Sequence, residues 1–227
     1  MTQDFYTFLQ SKKRIWMPVP IPAEPLRAED YGVRETIERD LALGDLEMPV
    51  GAFIGEATRK ELNLPPSAIA LLKANIKDEA IHDRQLKLAI QAYPVSNKIL
   101  SEVSAITTDW IAHPDHTLVK AKVLETKILM VAQGILRYFG GQALDRMASD
   151  ISMDEWRHVQ TNWSVCEELN LVESPSLLRL AADTLDWLLT NLTFPRFDQT
   201  FWRRQSDILY ENGSARNGGT VQMGAVY

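Results

Sequence analysis

Between about residue 30 and residue 192, the chain has the composition of nearly continuous α-helix. Alanine, leucine, glutamate, lysine and arginine are abundant there, and no alternating apolar run is long enough to predict a strand. Helix-breaking residues divide the region at 63–67, 93–94, 113–116 and 140–141. Asp115 is the predicted N-cap after the third break, and Ser174 and Pro175 predict the start of a helix that ends near 192. The sequence therefore predicts an all-α fold.

The two ends of the chain differ from this helical region. Residues 1–28 contain Pro18, Pro20, Pro22 and Pro25, a density that predicts an extended arm instead of a helix. Residues 29–212 are the predicted helical domain, whose last segment, about 196–211, is amphipathic and expected to pack on the other helices. Residues 213–227 contain four glycines and predict a flexible tail.

Charge and composition argue against several classes of protein. The net charge of -6 gives no electrostatic reason to expect binding to nucleic acid or to an anionic membrane. Cys166 is the single cysteine, so the chain cannot form an internal disulfide or a thiolate metal site. No apolar run approaches the roughly 18 residues typical of a membrane span. We therefore expect a cytoplasmic protein that does not span a membrane.

Two segments of the chain contain the pattern Asp-Glu-x-x-His. A spacing of three residues on an α-helix means about 60° of rotation and about 4.5 Å of rise, so Glu and His share a face and can bind one ion. A single such pair is more often a solvated surface pair. Both glutamates here interrupt apolar stripes, and a buried carboxylate is costly unless a cation or a proton neutralises it. The residues are Asp78, Glu79 and His82, and Asp154, Glu155 and His158.

Two further acidic residues lie alone on apolar helix faces, Glu47 and Glu125. If the two Glu-x-x-His segments bind two metal ions, two Glu and two His are too few ligands. The hypothesis of a two-ion site therefore predicts one further buried acid on each of two other helices. Glu47 and Glu79 are equidistant from the break at 63–67, and Glu125 and Glu155 are equidistant from the break at 140–141. Each pair is therefore expected at one level of an antiparallel helical hairpin.

The residues between these acids leave some alternatives open. Pro49 and the neighbouring glycines predict a kinked or rewound helix, so Asp45 could replace Glu47. Two further histidines are expected to serve in loops and caps, with metal binding as the alternative. Asn162 and Cys166 continue the inward face after His158 and are expected in the core or around the ligands, with a nucleophile as the alternative for them. The two tryptophans are expected to pack in the core, with electron transfer as the alternative. These residues are His113, His116, Asn162, Cys166, Trp156 and Trp163.

The ordered ligand set resembles that of the ferritin-like di-iron carboxylate proteins, in which two helices each supply one Glu and two others supply Glu-x-x-His. The resemblance covers about 30–170 and implies a ferritin-like four-helix bundle with additional crossover and C-terminal helices. Within this group, the chain is more similar to the ribonucleotide-reductase small-subunit and aldehyde-deformylating-oxygenase branches than to storage ferritins. The ligands it implies are Glu47, Glu79, His82, Glu125, Glu155 and His158.

The resemblance also implies roles for neighbouring residues. Asp78 and Asp154 would accept hydrogen bonds from the histidine ligands, with simple solvent exposure as the alternative. Leu86 lies where the radical-storing reductase subunits have tyrosine, so a stable radical is not expected there. Leu86, Leu129 and Ala132 would line an apolar pocket or belong to the core.

The function implied is O2 activation by two iron ions, with manganese or a mixed pair as alternatives. Each ion would take one terminal Glu and one His, and two glutamates would bridge the ions and leave positions open for O2. The expected partners are O2, a small apolar organic substrate and an external electron donor, and a homodimer is an allowed assembly. A ferritin-type ferroxidase or peroxidase and a metal-free helical interaction module are the alternative functions.

Overall fold

The computed structural model describes residues 2–60 and 62–213, and every regular element in these residues is helical. A 3-10 turn at Gly44–Leu46 joins α2 to α3, and a π-helical turn at Glu125–Leu129 joins α6 to α7. The all-α prediction is confirmed. No helix in the described part of the chain is both long and apolar enough to cross a membrane. The α-helices are α1 (Thr2–Ser11), α2 (Val33–Leu43), α3 (Glu47–Arg59), α4 (Pro66–Ala92), α5 (Asn97–Ala112), α6 (Thr117–Leu124), α7 (Met130–Phe139), α8 (Gln142–Glu168), α9 (Pro175–Leu188) and α10 (Gln199–Glu211).

The helix breaks lie where the sequence predicts them. Proline occupies the first position of α4, and two glycines separate α7 from α8. A Cβ on Gly140 would lie 2.4 Å from the carbonyl oxygen of Leu136, so this turn requires glycine. Ser174 caps α9 by accepting a hydrogen bond from the Leu177 amide at 3.2 Å. That helix ends at Leu188, slightly earlier than predicted.

The predicted N-cap of α6 is wrong by one residue. The cap is His116, whose Nδ1 accepts a hydrogen bond from the Leu118 amide at 3.2 Å. Asp115 instead accepts a hydrogen bond from the backbone amide of Ser174 at 2.8 Å. Asp115 therefore ties the loop before α6 to the start of α9.

The prediction that all of 1–28 is extended is wrong for residues 2–11. They form α1, which buries Tyr6 and Leu9, and the Tyr6 hydroxyl donates to Glu168 at 3.0 Å. The physical reason is that the prolines begin only at residue 18 and cannot restrain the turns before it. Residues 13–26, which follow α1, form no helix or strand. The predicted flexible tail beyond Gly213 lies outside the described residues.

Four helices, α3, α4, α6 and α8, pack around the centre of the described structure. α3 packs on α4, α4 on α8, α8 on α6 and α7, and α6 on α3, so the ring of contacts is closed. α5 connects the two hairpins and packs on α2 and α9, while α10 packs on α7 and on the π-helical turn. This arrangement places the inward faces of α3, α4, α6 and α8 around one buried volume.

A buried lysine holds the end of α5. Lys120 is 3% exposed, and its Nζ donates to the carbonyl oxygens of Trp110, Ile111 and His113 at 3.2, 3.0 and 3.1 Å. These carbonyls lie at the C-terminal end of a helix, where no intrahelical donor is available. Lys120 thereby connects α5 to α6.

Candidate metal centre

The two Glu-x-x-His segments face each other across the interface of α4 and α8. Glu79 Oε1 lies 2.8 Å from His158 Nδ1, and His82 Nδ1 lies 3.0 Å from Glu155 Oε1. Moving three residues forward on α4, from Glu79 to His82, therefore corresponds to moving three residues back on α8, from His158 to Glu155. The helices are antiparallel here, and each glutamate is paired with the histidine of the other segment.

The two lone glutamates complete the cluster from α3 and from the π-helical turn. Glu47 Oε2 lies 3.7 Å from His82 Nδ1, and Glu125 Oε1 lies 3.9 Å from His158 Nδ1. Glu79 and Glu155 each approach both histidines, at distances of 2.8 to 3.7 Å. The six side chains thus form two outer Glu-His pairs with two glutamates shared between them. All six are at most 1% exposed: Glu47, Glu79, His82, Glu125, Glu155 and His158.

A local rewinding of the chain turns Glu47 inward. Pro49 has no amide hydrogen and its ring would clash with the carbonyl of Asp45 in a continuous helix, so the helix rewinds through the 3-10 turn before α3. The predicted rewinding is confirmed. Asp45 is exposed and Glu47 is fully buried, so Asp45 does not replace Glu47 in the cluster.

The π-helical turn begins at Glu125 and is fixed by side-chain hydrogen bonds. Thr126 Oγ1 donates to the carbonyl oxygen of Lys122 at 2.7 Å, and Ser206 Oγ of α10 donates to that of Lys127 at 2.9 Å. π-Helical turns are rare and are frequent at functional sites. No feature of the sequence predicted this one.

The two aspartates that precede the glutamates approach the histidines from the other side. Asp78 Oδ2 lies 3.5 Å from His158 Nε2, and Asp154 Oδ2 lies 3.5 Å from His82 Nε2. Each aspartate is 2% exposed, which excludes simple solvent exposure. An Nε2–H directed at a carboxylate leaves Nδ1, which faces the glutamates, free to bind an ion.

Three residues that sequence reasoning missed hold these aspartates. Arg157 Nη2 contacts Asp78 Oδ2, and Arg157 Nη1 lies 3.4 Å from Asp154 Oδ1. Lys13 Nζ lies 2.8 Å from Asp78, and the Trp16 indole donates to Asp154 at 2.8 Å. Lys13 and Trp16 belong to the N-terminal arm, far from the aspartates in sequence. Arg157 was detectable because it lies one turn from Asp154 in the same motif.

Burial and mutual contact shift the pKa values of the cluster. Desolvation raises the pKa of Glu47 and of Glu125 well above the ordinary value. For Glu79, desolvation is outweighed by the charge of His158 and by the close approach of both histidines, which lower its pKa. The pKa of both histidines is raised, because the facing carboxylates outweigh the effect of burial. Without an ion, protons on the histidines and outer glutamates therefore balance the charge.

Many polar atoms of the cluster lack a hydrogen-bond partner. Buried polar groups in proteins nearly always have one. Glu79, His82, Glu155 and His158 offer ligand atoms that all lie within 4.8 Å of one another. The buried group could therefore hold a metal ion. In the described residues, the unpartnered atoms of the cluster are both oxygens of Glu47, Glu79 and Glu155, Oε1 of Glu125, and Nδ1 of His82 and His158.

An apolar cleft lies beside α4 at the residues that follow His82. It has a volume of about 290 Å³ and lies between the end of α2, the 3-10 turn, α4 and α5. Leu86, one turn after His82, and Gly44 line it, and an ion pair between Asp83 and Lys87 at 2.8 Å lies at its edge. A Cβ on Gly44 would lie 2.8 Å from Leu86 Cδ1, so glycine is needed for this close approach. Leu129 and Ala132, the other predicted pocket residues, are buried in the core.

The other polar and aromatic residues singled out in the sequence lie in loop, cap or core positions. Burial raises the pKa of the Cys166 thiol to about 12, which makes it a poor nucleophile. His113, in the loop after α5, has its Nε2 3.2 Å from the Ser176 hydroxyl in the first turn of α9, and His116 is the cap of α6. The Trp163 indole donates to Thr126 Oγ1 at 3.2 Å, and Trp156 is partly buried against the core.

Comparison with known proteins identifies no relative: no protein-family model, no curated protein and no solved structure matches the chain significantly. The resemblance to the ferritin-like proteins therefore rests on the ordered ligand residues.

Proposed function

We propose that the protein is a non-haem di-metal oxidoreductase of the ferritin-like type that uses O2 to oxidise or oxygenate a small apolar organic molecule. The observation that supports this most directly is the cluster of four buried glutamates and two buried histidines. Apart from Oε2 of Glu125, the carboxylate oxygens and the Nδ1 atoms of this cluster face one another without hydrogen-bond partners. Its two outer Glu-His pairs and two shared glutamates match a centre in which each ion has one terminal Glu, one His and two bridging carboxylates.

Charge balance supports two divalent ions. The four glutamates and two aspartates carry six negative charges when ionised, and Lys13 and Arg157 are the cations that contact the aspartates among the described residues. Four negative charges are then left when the histidines are neutral, and two divalent ions supply four positive charges. A buried cluster with unbalanced charges would be strongly unfavourable.

The donor set supports iron, with manganese as an alternative. Mixed carboxylate and imidazole ligands suit redox-active ions of the first transition series. Bound ions would supply one-electron redox chemistry and an open position for O2. The protein would supply a dry site, fixed ligands and imidazoles oriented by Asp78 and Asp154.

The apolar cleft supports an apolar organic substrate. Its volume is at the lower end of the range for small-molecule sites, and most of its lining residues are aliphatic. Leu86 lines the cleft and lies on the same face of α4 as His82, one turn away. A small hydrocarbon-like molecule in the cleft would therefore be separated from the cluster by little more than one side chain.

Anaerobic loading with Fe²⁺ followed by exposure to air tests the proposal. We expect consumption of O2 and the near-ultraviolet absorption of a carboxylate-bridged ferric pair. Glu125→Gln and Glu155→Gln should lose both signals, and Glu56→Gln, which changes an exposed glutamate of α3, should retain them. Absence of bound iron would favour a metal-free helical module. Continued oxidation of many Fe²⁺ ions per chain would favour a ferroxidase.

A further inference from the structure

The two ends of the cluster along the bundle axis differ in polarity. In the antiparallel register of α4 and α8, Asn75 is paired with Asn162, one turn beyond Glu79 and His158 towards the α3–α4 connection. In the other direction, one turn beyond His82 and Glu155, Leu86 is paired with Ile151. All four side chains are buried, at most 3% exposed. The cluster is therefore bounded by two amides at one end and by two aliphatic side chains at the other.

The amide end holds its outer glutamate, whereas the aliphatic end does not. Asn162 Nδ2 donates to Glu125 Oε2 at 2.5 Å. Asn162 follows His158 by four residues, and the residue that follows His82 by four is Leu86, which has no donor. Accordingly, both carboxylate oxygens of Glu47 lack a partner.

The backbone supports the two outer glutamates unequally as well. The π-helical turn that carries Glu125 is fixed from α10 by the hydrogen bond of Ser206 to Lys127. Glu47 instead follows the 3-10 turn, and its neighbour Met48 is 50% exposed. The cleft also reaches that turn at Gly44. The carboxylate of Glu125 is thus positioned before an ion arrives, and that of Glu47 is not.

We infer that the two ion positions are unequal, and that the position formed by Glu125 and His158 binds first and more tightly. Asn162 is the positioning residue, because a ligand held in place loses less conformational freedom when the ion binds. The position formed by Glu47 and His82 binds second, more weakly, and adjoins the apolar cleft. This inference rests on the proposed function, since it concerns the same pair of ions.

Anaerobic titration of the metal-free protein with Mn²⁺, followed by electron paramagnetic resonance, tests the order of binding. We expect the signal of an isolated bound ion to grow up to one equivalent. Signals of an exchange-coupled pair should replace it with the second equivalent. Growth of the coupled signal from the first addition would overturn the inference, while leaving the proposed function intact. Failure to bind Mn²⁺ at all, together with the absence of bound iron, would defeat the proposed function itself.

Isosteric variants assign the positions. Glu47→Gln should retain one tightly bound Mn²⁺, and Glu125→Gln should retain one that binds about 10- to 100-fold more weakly than the first ion of the unaltered protein. Asn162→Leu should weaken the first step by roughly tenfold or more. Leu86→Asn, its counterpart at the other end, should strengthen the second step instead. Retention of the tight ion in Glu125→Gln and its loss in Glu47→Gln would contradict the assignment.

Discussion

Binding of two divalent ions to the metal-free protein is expected to release up to four protons at pH 6, two from the histidines and the others from the outer glutamates, because the pKa values of all four groups are raised. A histidine whose pKa lies above 6.5 is charged at pH 6, and it must lose its Nδ1 proton to bind an ion. The two outer carboxyls must ionise for the same reason. The affinity for the pair of ions should therefore increase with pH, by up to about 10⁴-fold per pH unit when all four protons are displaced.

Isothermal titration calorimetry in buffers of different ionisation enthalpy measures this release. The protein and Mn²⁺ are titrated at pH 6 under anaerobic conditions, and the slope of the observed enthalpy against buffer enthalpy gives the number of protons. Release of three to four protons agrees with the pKa shifts, and release of two would assign the effect to the histidines alone. Release of fewer than two would refute the reasoning, because the imidazolium protons of the empty site would then be absent.

Three further predictions concern stability, measured as the free energy of unfolding in urea. In the metal-free protein the free energy of unfolding should fall as the pH rises above about 4.5, because of Glu47 and Glu125, and further above about 6.5, because of His82 and His158. A group with a raised folded pKa stabilises the fold fully only below its unfolded pKa, and the metal-loaded protein should lose less. Arg157→Leu should cost about 3–5 kcal/mol, because two buried aspartates lose their shared partner. The control Arg14→Leu, which breaks the exposed pair with Asp150, should cost under about 1 kcal/mol. Equal costs for the two variants would contradict the electrostatic account. Lys120→Met should cost about 1–3 kcal/mol by leaving three carbonyls at the C-terminal end of α5 and in the cap residue that follows it without this donor. An unchanged midpoint of unfolding would show that water replaces the lysine.

The sequence predicted those features that depend on local pattern and on symmetry within hairpins. Proline and glycine positions located the helix breaks, since these residues act on the backbone directly. Equal distances from the breaks selected Glu47 and Glu125, and both lie at the level of the Glu-x-x-His segments. Pro49 predicted the rewinding before α3 correctly.

Features that depend on contacts between distant segments were not predictable. Lys13 and Trp16 reach Asp78 and Asp154 from the N-terminal arm, and nothing in their local sequence identifies these partners. The π-helical turn at Glu125 packs against α10, where Ser206 donates a hydrogen bond to the carbonyl oxygen of Lys127. Helix α1 was missed because the prolines after it dominated the interpretation of the whole arm.

Elemental analysis of protein produced with adequate iron tests the central claim most directly. We predict two iron ions, or two manganese ions, per chain in the unaltered protein, and a sharp loss of metal in Glu125→Ala and Glu155→Ala. Purified protein that contains no metal, takes up none on addition of Fe²⁺ or Mn²⁺, and keeps its stability in both variants would contradict the claim that this cluster is a metal centre.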